Sequence, residues 1–209
     1  MSNTYFVTGI STHIGKTVIS AILTEALQAD YWKPVQAGDL DNTDTHKLKR
    51  WVTNDQTNFH ESAYDLVTPM SPHAAAEIDG IQLAVEDIKR PKTKNDLVIE
   101  GCGGLLVPFN NKQTLVDLID KGDKVVVVSQ HYLGSINHTL LTIEALKARD
   151  LNIFGIIFNG NEHPTTESVI REMTGVPILG RIDAEPYVDA GMIREYAERF
   201  REVLKSSKS

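Results

Sequence analysis

Short apolar runs along the chain alternate with longer segments whose apolar residues recur at helical spacing. The first run covers residues 5–8, and residues 17–28 follow with Val18, Ile22, Leu23, Ala26 and Leu27 on one side. Further strands are expected at 31–35, 97–100, 124–129, 153–158 and 177–182. Helices are expected at 43–51, 135–149 and 189–204, with a short one at 85–89. The unbroken apolar stretch Val125, Val126, Val127, Val128 lacks the alternation of a half-exposed strand and marks one buried on both faces. The last helix places Ile193, Tyr196, Phe200 and Val203 on one side.

Strands separated by helix-length segments predict an α/β fold, a mainly parallel sheet with helices on both faces. Ligands of such sheets sit beyond the carboxyl ends of the strands. Gly9, Val35, Glu100 and Asn159 each close or follow an expected strand, so all four are expected on one rim. Residues 89–94 read as a basic, proline-bearing solvated connection, and 205–209 as a flexible tail.

Length points to a single domain over residues 1–209. A net charge of -7 argues against nucleic acid or an acidic membrane as the main partner, so an anion site would have to be a local positive pocket. Cys102 is the one cysteine, which excludes an internal disulfide and fits a reducing compartment. The chain starts without a basic leader and apolar core, and no apolar run approaches ~20 residues. A soluble, cytoplasmic protein is expected.

The densest chemistry lies between Tyr5 and Thr17. An apolar strand ends at Gly9, a short polar turn follows, and Gly15-Lys16-Thr17 opens a helix. This is the layout of a phosphate-binding loop, in which backbone N–H groups and the helix dipole face the anion. Lys16 is expected to reach the outer phosphates and Thr17 the metal ion that accompanies them. The usual spacing would put the first glycine at position 10, which is Ile10, so the loop is a variant.

Lys33 lies near the end of an expected buried strand, where an ammonium needs an anionic partner. Asp44 sits where a new helix begins, and Glu100 ends a strand ahead of Gly101-Cys102-Gly103-Gly104. Thr17, Asp44, Glu100 and phosphate oxygens would suit the oxygen octahedron of magnesium. His46, His60, His131 and His163 have no metal-ligand spacing.

These segments, with Lys33-Pro34-Val35, Ser71-Pro72-His73 and Gly134-Ser135-Ile136-Asn137-His138, occur in an order that resembles the dethiobiotin synthetase family from Tyr5 to about Ile182. The resemblance implies a phosphate-loop fold and ATP-dependent closure of a cyclic urea from 7,8-diaminopelargonate and carbon dioxide, in biotin biosynthesis. It implies that Lys33, Lys16 and Thr12 act at the reacting groups. His13, Ile14, Gly15, Lys16, Thr17 and Val18 would wrap the phosphates, with Gly103, Asn159 and Asp183 also at the nucleotide. Thr17, Asp44 and Glu100 would hold Mg2+. Thr12, Lys33 and Ala37 would meet the substrate, and Gly134, Ser135, Ile136 and Asn137 would receive its carboxylate from the neighbouring subunit of a homodimer.

The chain departs from the family at several points. Ile10-Ser11-Thr12 replaces a common Thr-Asp-Thr, and His13 an acidic or small residue. Ala37 stands where many members carry a hydroxyl, and Asp183 where proline is usual. No tyrosine occurs between Pro164 and Met173 to match the one that meets the substrate carboxylate in some members. A rival reading is a nucleotide-dependent switch of the septum-positioning or plasmid-partition type, but those proteins usually carry an extra lysine early in the loop, absent from Ile10-Ser11-Thr12-His13. An amidating ligase related to the cobyrinic acid synthetases would need a glutaminase domain, for which 209 residues leave no room.

Overall fold

A computed structural model describes residues 2–206. The strands are β1 Thr4–Gly9, β2 Asp30–Trp32, β3 Val35–Ala37, β4 Phe59–His60, β5 Tyr64–Leu66, β6 Leu97–Glu100, β7 Lys124–Gln130, β8 Ile153–Asn159 and β9 Ile178–Ile182. The helices are α1 Lys16–Leu27, α2 Asp44–Trp51, α3 Pro72–Asp79, α4 Ser135–Lys147, α5 Pro164–Thr174 and α6 Ala190–Ser206. Seven strands form one sheet in the order β4-β2-β6-β1-β7-β8-β9, and every pairing in it is parallel. β3 and β5 form a separate parallel pair. Helices α1 and α6 pack together, as do α4 and α5, covering the sheet in two layers. No helix among the described residues is long and apolar enough to cross a membrane.

The central strands follow from the apolar runs. Val125 to Val128 are fully buried in β7, between β1 and β8. Because all the strands run the same way, the ends of β1, β6 and β8 bring Gly9, Glu100 and Asn159 to one rim.

Val35 does not close a strand. The run expected at 31–35 is split at Lys33-Pro34, and Val35 opens β3 in the second sheet. Proline has no N–H for the ladder and restrains the residue before it, so the main-sheet strand stops at Trp32. The expected helix at 85–89 is a 3-10 turn over Val85–Asp87.

Residues 89–94 are not simply solvated. Both Arg90 Nη1 and Nη2 donate to the Asp123 carboxylate at 2.7 Å, and Arg90 also pairs with Asp120. Asp123 is buried, and a buried carboxylate without such a partner is strongly destabilising. Helix α6 runs to Ser206, past its expected end, and positions 207–209 of the expected tail lie outside the described residues. Helices α3 and α5 were not signalled by periodicity. Each opens on a proline, Pro72 or Pro164, whose fixed φ suits a first helical turn.

Asp30 fastens the start of β2. Its buried carboxylate accepts from the Asn58 backbone N–H, the Asn58 amide and the Asn95 amide, and His60 Nε2 lies 3.0 Å away. Burial pushes its pKa up, but hydrogen bonds from Asn95, Thr93, Asn58 and His60 outweigh that and bring it from the usual 3.8 down to about 2. A lowered folded-state value stabilises the fold above pH ~4 and loses that contribution as pH falls toward 2. The shift corresponds to roughly 2 kcal/mol. Asp30→Asn is therefore expected to lower the melting temperature at pH 7 by roughly 4–8 °C and to flatten the acid limb between pH 4 and 2, read by thermal melts across that range. Equal melting temperatures at pH 7 would show that the ionised carboxylate contributes nothing.

Candidate active site

Beyond the carboxyl ends of β1 and β6 lies a cavity of about 630 Å3. Thr12, His13, Ile14, Gly15, Lys16, Thr17, Lys33, Ala37, Asp44, Glu100 and Gly103 all line it. Of the remaining expected site residues, Val18 packs against the core within α1 and is not in the wall. Asn159 stands behind the loop, its amide donating to the Ile14 carbonyl at 3.0 Å. Asp183 is half exposed, its backbone N–H donating to the Tyr196 hydroxyl at 3.1 Å. Gly134, Ser135, Ile136 and Asn137 open α4 and do not line the cavity of this chain.

The loop's variant spacing has a packing cause. A Cβ on Gly9 would stand 2.5 Å from Ile14 Cδ1, whereas Ile10 is itself a buried core side chain. The glycine is needed where Ile14 folds back, which is position 9. His13 (φ 57) and Gly15 (φ 91) both take left-handed backbone, which turns the chain into α1. Lys16 Nζ donates to the Ser11 carbonyl at 2.9 Å across the loop. Burial brings the Lys16 pKa down to about 8, with Glu100 pulling upward against it and Lys33 adding to the fall.

Lys33 and the two carboxylates form a buried cluster. Lys33 Nζ lies 2.5 Å from Asp44 Oδ2 and 3.0 Å from Glu100 Oε1. Glu100 Oε1 also accepts from the Thr17 hydroxyl at 2.8 Å, and Glu100 Oε2 from the Tyr31 hydroxyl at 2.8 Å. Asp44 Oδ1 accepts from Lys47 at 3.0 Å. Burial would lower the Lys33 pKa, but Glu100 and Asp44 more than offset it and hold the value above that of an ordinary lysine. Burial works the other way on Asp44, and Lys33 with Lys47 brings it down to about 2.

Local structure positions these groups. The break at Pro34 leaves Lys33 between the two sheets. Thr43 caps α2, accepting from the His46 N–H at 3.1 Å while His46 Nδ1 accepts from the Thr43 N–H, which fixes Asp44 in the first turn. Gln36 braces Asp44 from the other side. Its Oε1 accepts from the Asp44 N–H and its amide donates to the Gly38 carbonyl.

The cavity is not a positive pocket by side-chain count. Lys16, Lys33 and Lys47 are balanced by Asp39, Asp44 and Glu100 in its wall. Attraction for a polyphosphate must come from the loop's N–H groups, the start of α1 and an added cation. The donor set fits magnesium, because a hydroxyl and two carboxylates converge where an ammonium already bridges the carboxylates. Among the described residues no three His, Cys, Asp or Glu side chains group as a metal cage.

Tyr31 and Lys47 were missed in the sequence. Tyr31 reads as an ordinary strand residue, and only its register beside Val98 in β6 places its ring beside Glu100. For Lys47 the available signal was its spacing of three residues from Asp44 on one helix.

Fold and loop together define the class: an α/β protein of the phosphate-loop type. A family model described as an AAA domain matches residues 3–191. A cell division ATPase MinD of Pyrococcus furiosus superposes with a TM-score of 0.62 at 13% identity, covering 99% of each chain. A septum site-determining MinD of Pyrococcus horikoshii, complexed with Mg-ADP, gives 0.60 at 15% identity over 99% of this chain and 96% of that one. At such identities the likeness is one of fold. The sequence is far closer to other proteins. It is 60% identical to an ATP-dependent dethiobiotin synthetase BioD of Christiangramia forsetii, over 98% of this chain and 99% of the relative, and 46% identical to that of Cytophaga hutchinsonii, over 92% and 94%. The chain belongs to the ATP-dependent dethiobiotin synthetase family.

Gly15 gives a direct test of the loop. A Cβ there would meet the Asn159 amide nitrogen at 2.3 Å on backbone that side chains rarely adopt. Such strain is worth about 1–3 kcal/mol. Gly15→Ala is expected to weaken ADP binding by about tenfold or more, measured by titration calorimetry. Wild-type affinity would mean the loop does not hold the nucleotide.

Proposed function

We propose that this chain closes the cyclic urea of dethiobiotin from 7,8-diaminopelargonate and carbon dioxide, using ATP and releasing ADP and phosphate. One substrate amine adds to carbon dioxide and loses a proton, giving a carbamate. A carbamate oxygen then attacks the γ-phosphorus of ATP, ADP leaves, and a mixed anhydride forms. The second amine attacks the activated carbon, phosphate departs, and the ring closes.

The observation that carries this reading is that Lys16, opening α1, and Lys33, in the break between β2 and β3, line one cavity. Carbamate and γ-phosphate are both anions, and bringing them into contact requires cations on each side. Lys16 is assigned to the phosphates and Lys33 to the carbamate, with Thr12 beside the reacting groups. His13 to Thr17 would wrap the phosphates, and Asn159, against the loop, with Asp183 further out would face the adenine side. Thr17, Asp44 and Glu100 would hold Mg2+, which when bound neutralises phosphate charge. In that arrangement Lys33 would exchange part of its bonding to Asp44 and Glu100 for the carbamate.

The substrate's carboxylate is assigned to Gly134, Ser135, Ile136 and Asn137 of a second copy. Support comes from their place at the start of α4, outside this chain's own cavity, beside the exposed apolar residues Leu133, Ile136 and Leu141. This reading takes the protein to be a homodimer with a shared site, in the cytoplasm.

The assay is product detection by mass spectrometry with diamine, bicarbonate, Mg2+ and ATP. ADP release is expected only when both diamine and bicarbonate are present. Hydrolysis indifferent to the diamine would replace this reading with a nucleotide switch. Lys33→Ala is expected to lower kcat by about 10²–10³ with little change in nucleotide affinity, whereas Lys16→Ala loses affinity and rate together. Unchanged turnover in Lys33→Ala would remove that residue from the chemistry.

A further inference from the structure

We infer that Tyr31 is a positioning residue for the metal site, acting through Glu100. This rests on the reading of Thr17, Asp44 and Glu100 as the Mg2+ set. Tyr31 lies in β2 opposite Val98 of β6, so its ring shares a sheet face with Val98 and with Glu100 two residues on. It is fully buried, and its ring packs edge-on against Phe59. From there its hydroxyl reaches Glu100 Oε2 at 2.8 Å.

The two oxygens of Glu100 are thus divided. Oε1 faces the cavity, taking Thr17 and Lys33. Oε2 faces the core, with Tyr31 as its donor. An ionised carboxylate only accepts, so the phenol must donate. A carboxylate at the end of a strand can rotate about its last torsion. The Tyr31 bond holds it in the rotation that presents Oε1 to Thr17. Outer partners of this kind orient metal ligands, and their loss typically weakens metal affinity by about 10- to 100-fold.

The test is the ratio of ADP affinities with and without Mg2+, measured by calorimetry on the full chain. Tyr31→Phe keeps the ring and removes only the donor. It is expected to leave metal-free ADP binding unchanged and to reduce the Mg2+ enhancement by about tenfold or more. Phe59→Leu, which loosens the ring's packing and leaves the hydroxyl, is expected to lower the melting temperature and keep the enhancement. Replacing Tyr31 with 4-aminophenylalanine restores a donor at the same place and is expected to keep the wild-type ratio, which holds as a test even if Tyr31→Phe does not fold. A wild-type ratio in Tyr31→Phe, or a tenfold loss in the 4-aminophenylalanine variant, would overturn the role of Tyr31. No Mg2+ enhancement in the unaltered chain would instead remove the metal assignment itself.

Discussion

One ammonium held between two buried carboxylates organises the functional end of this molecule. Lys33 stands 2.5 Å from Asp44 and 3.0 Å from Glu100, and all three are largely withdrawn from water. Removing one partner from such a cluster costs several kcal/mol, because it leaves an uncompensated buried charge. Around it the fold is arranged to keep three elements in register. Pro34 stops the main-sheet strand so that Lys33 leaves the sheet there, Thr43 caps α2 so that Asp44 falls in its first turn, and β6 ends at Glu100. The Arg90–Asp123 and Asp30 clusters do similar work in fastening loops and strand starts elsewhere.

The cavity wall bears on how an acidic chain can take a polyanion. Its three lysines do not outnumber the acids in the cavity wall. Side chains therefore set where charges sit, and net attraction is left to the backbone of the loop, the α1 dipole and the proposed Mg2+. A neutral, internally paired wall has a further consequence. Its cations are already bonded before any anion arrives, Lys16 to the Ser11 carbonyl and Lys33 to Asp44 and Glu100, so each gives up part of that bonding when it turns to a ligand.

Much of this was legible in the sequence because the signals are local. The valines of β7, the turn after β1, Gly15-Lys16-Thr17 and the carboxylate ending β6 are all readable from neighbours along the chain. What escaped depends on register between distant strands, on short elements, or, for α3 and α5, on helices whose proline start rather than apolar spacing is the signal. β4 and β5 have only two and three residues, too few for any period to register. Tyr31 becomes part of the site only through the pairing of β2 with β6. Arg90 reads as loop charge until Asp120 and Asp123 are brought to it from the connection before β7.

The departures at Ala37 and Gln36 can now be weighed together. Ala37 lines the cavity without a hydroxyl, and Gln36 follows Val35 immediately beside it. Gln36 could have supplied the lost polar contact, yet its oxygen is bonded to the Asp44 N–H and its nitrogen to the Gly38 carbonyl. Turning that amide toward a ligand would release Asp44 from its brace and unsettle the pairing with Lys33. The amide is therefore committed to the charge cluster, and Ala37 presents a methyl group to whatever passes along this wall. The wall is therefore apolar at Ala37, which matches the aliphatic chain of the proposed substrate, and polar recognition is left to other groups of the cavity such as Thr12, Ser71 and the charged cluster.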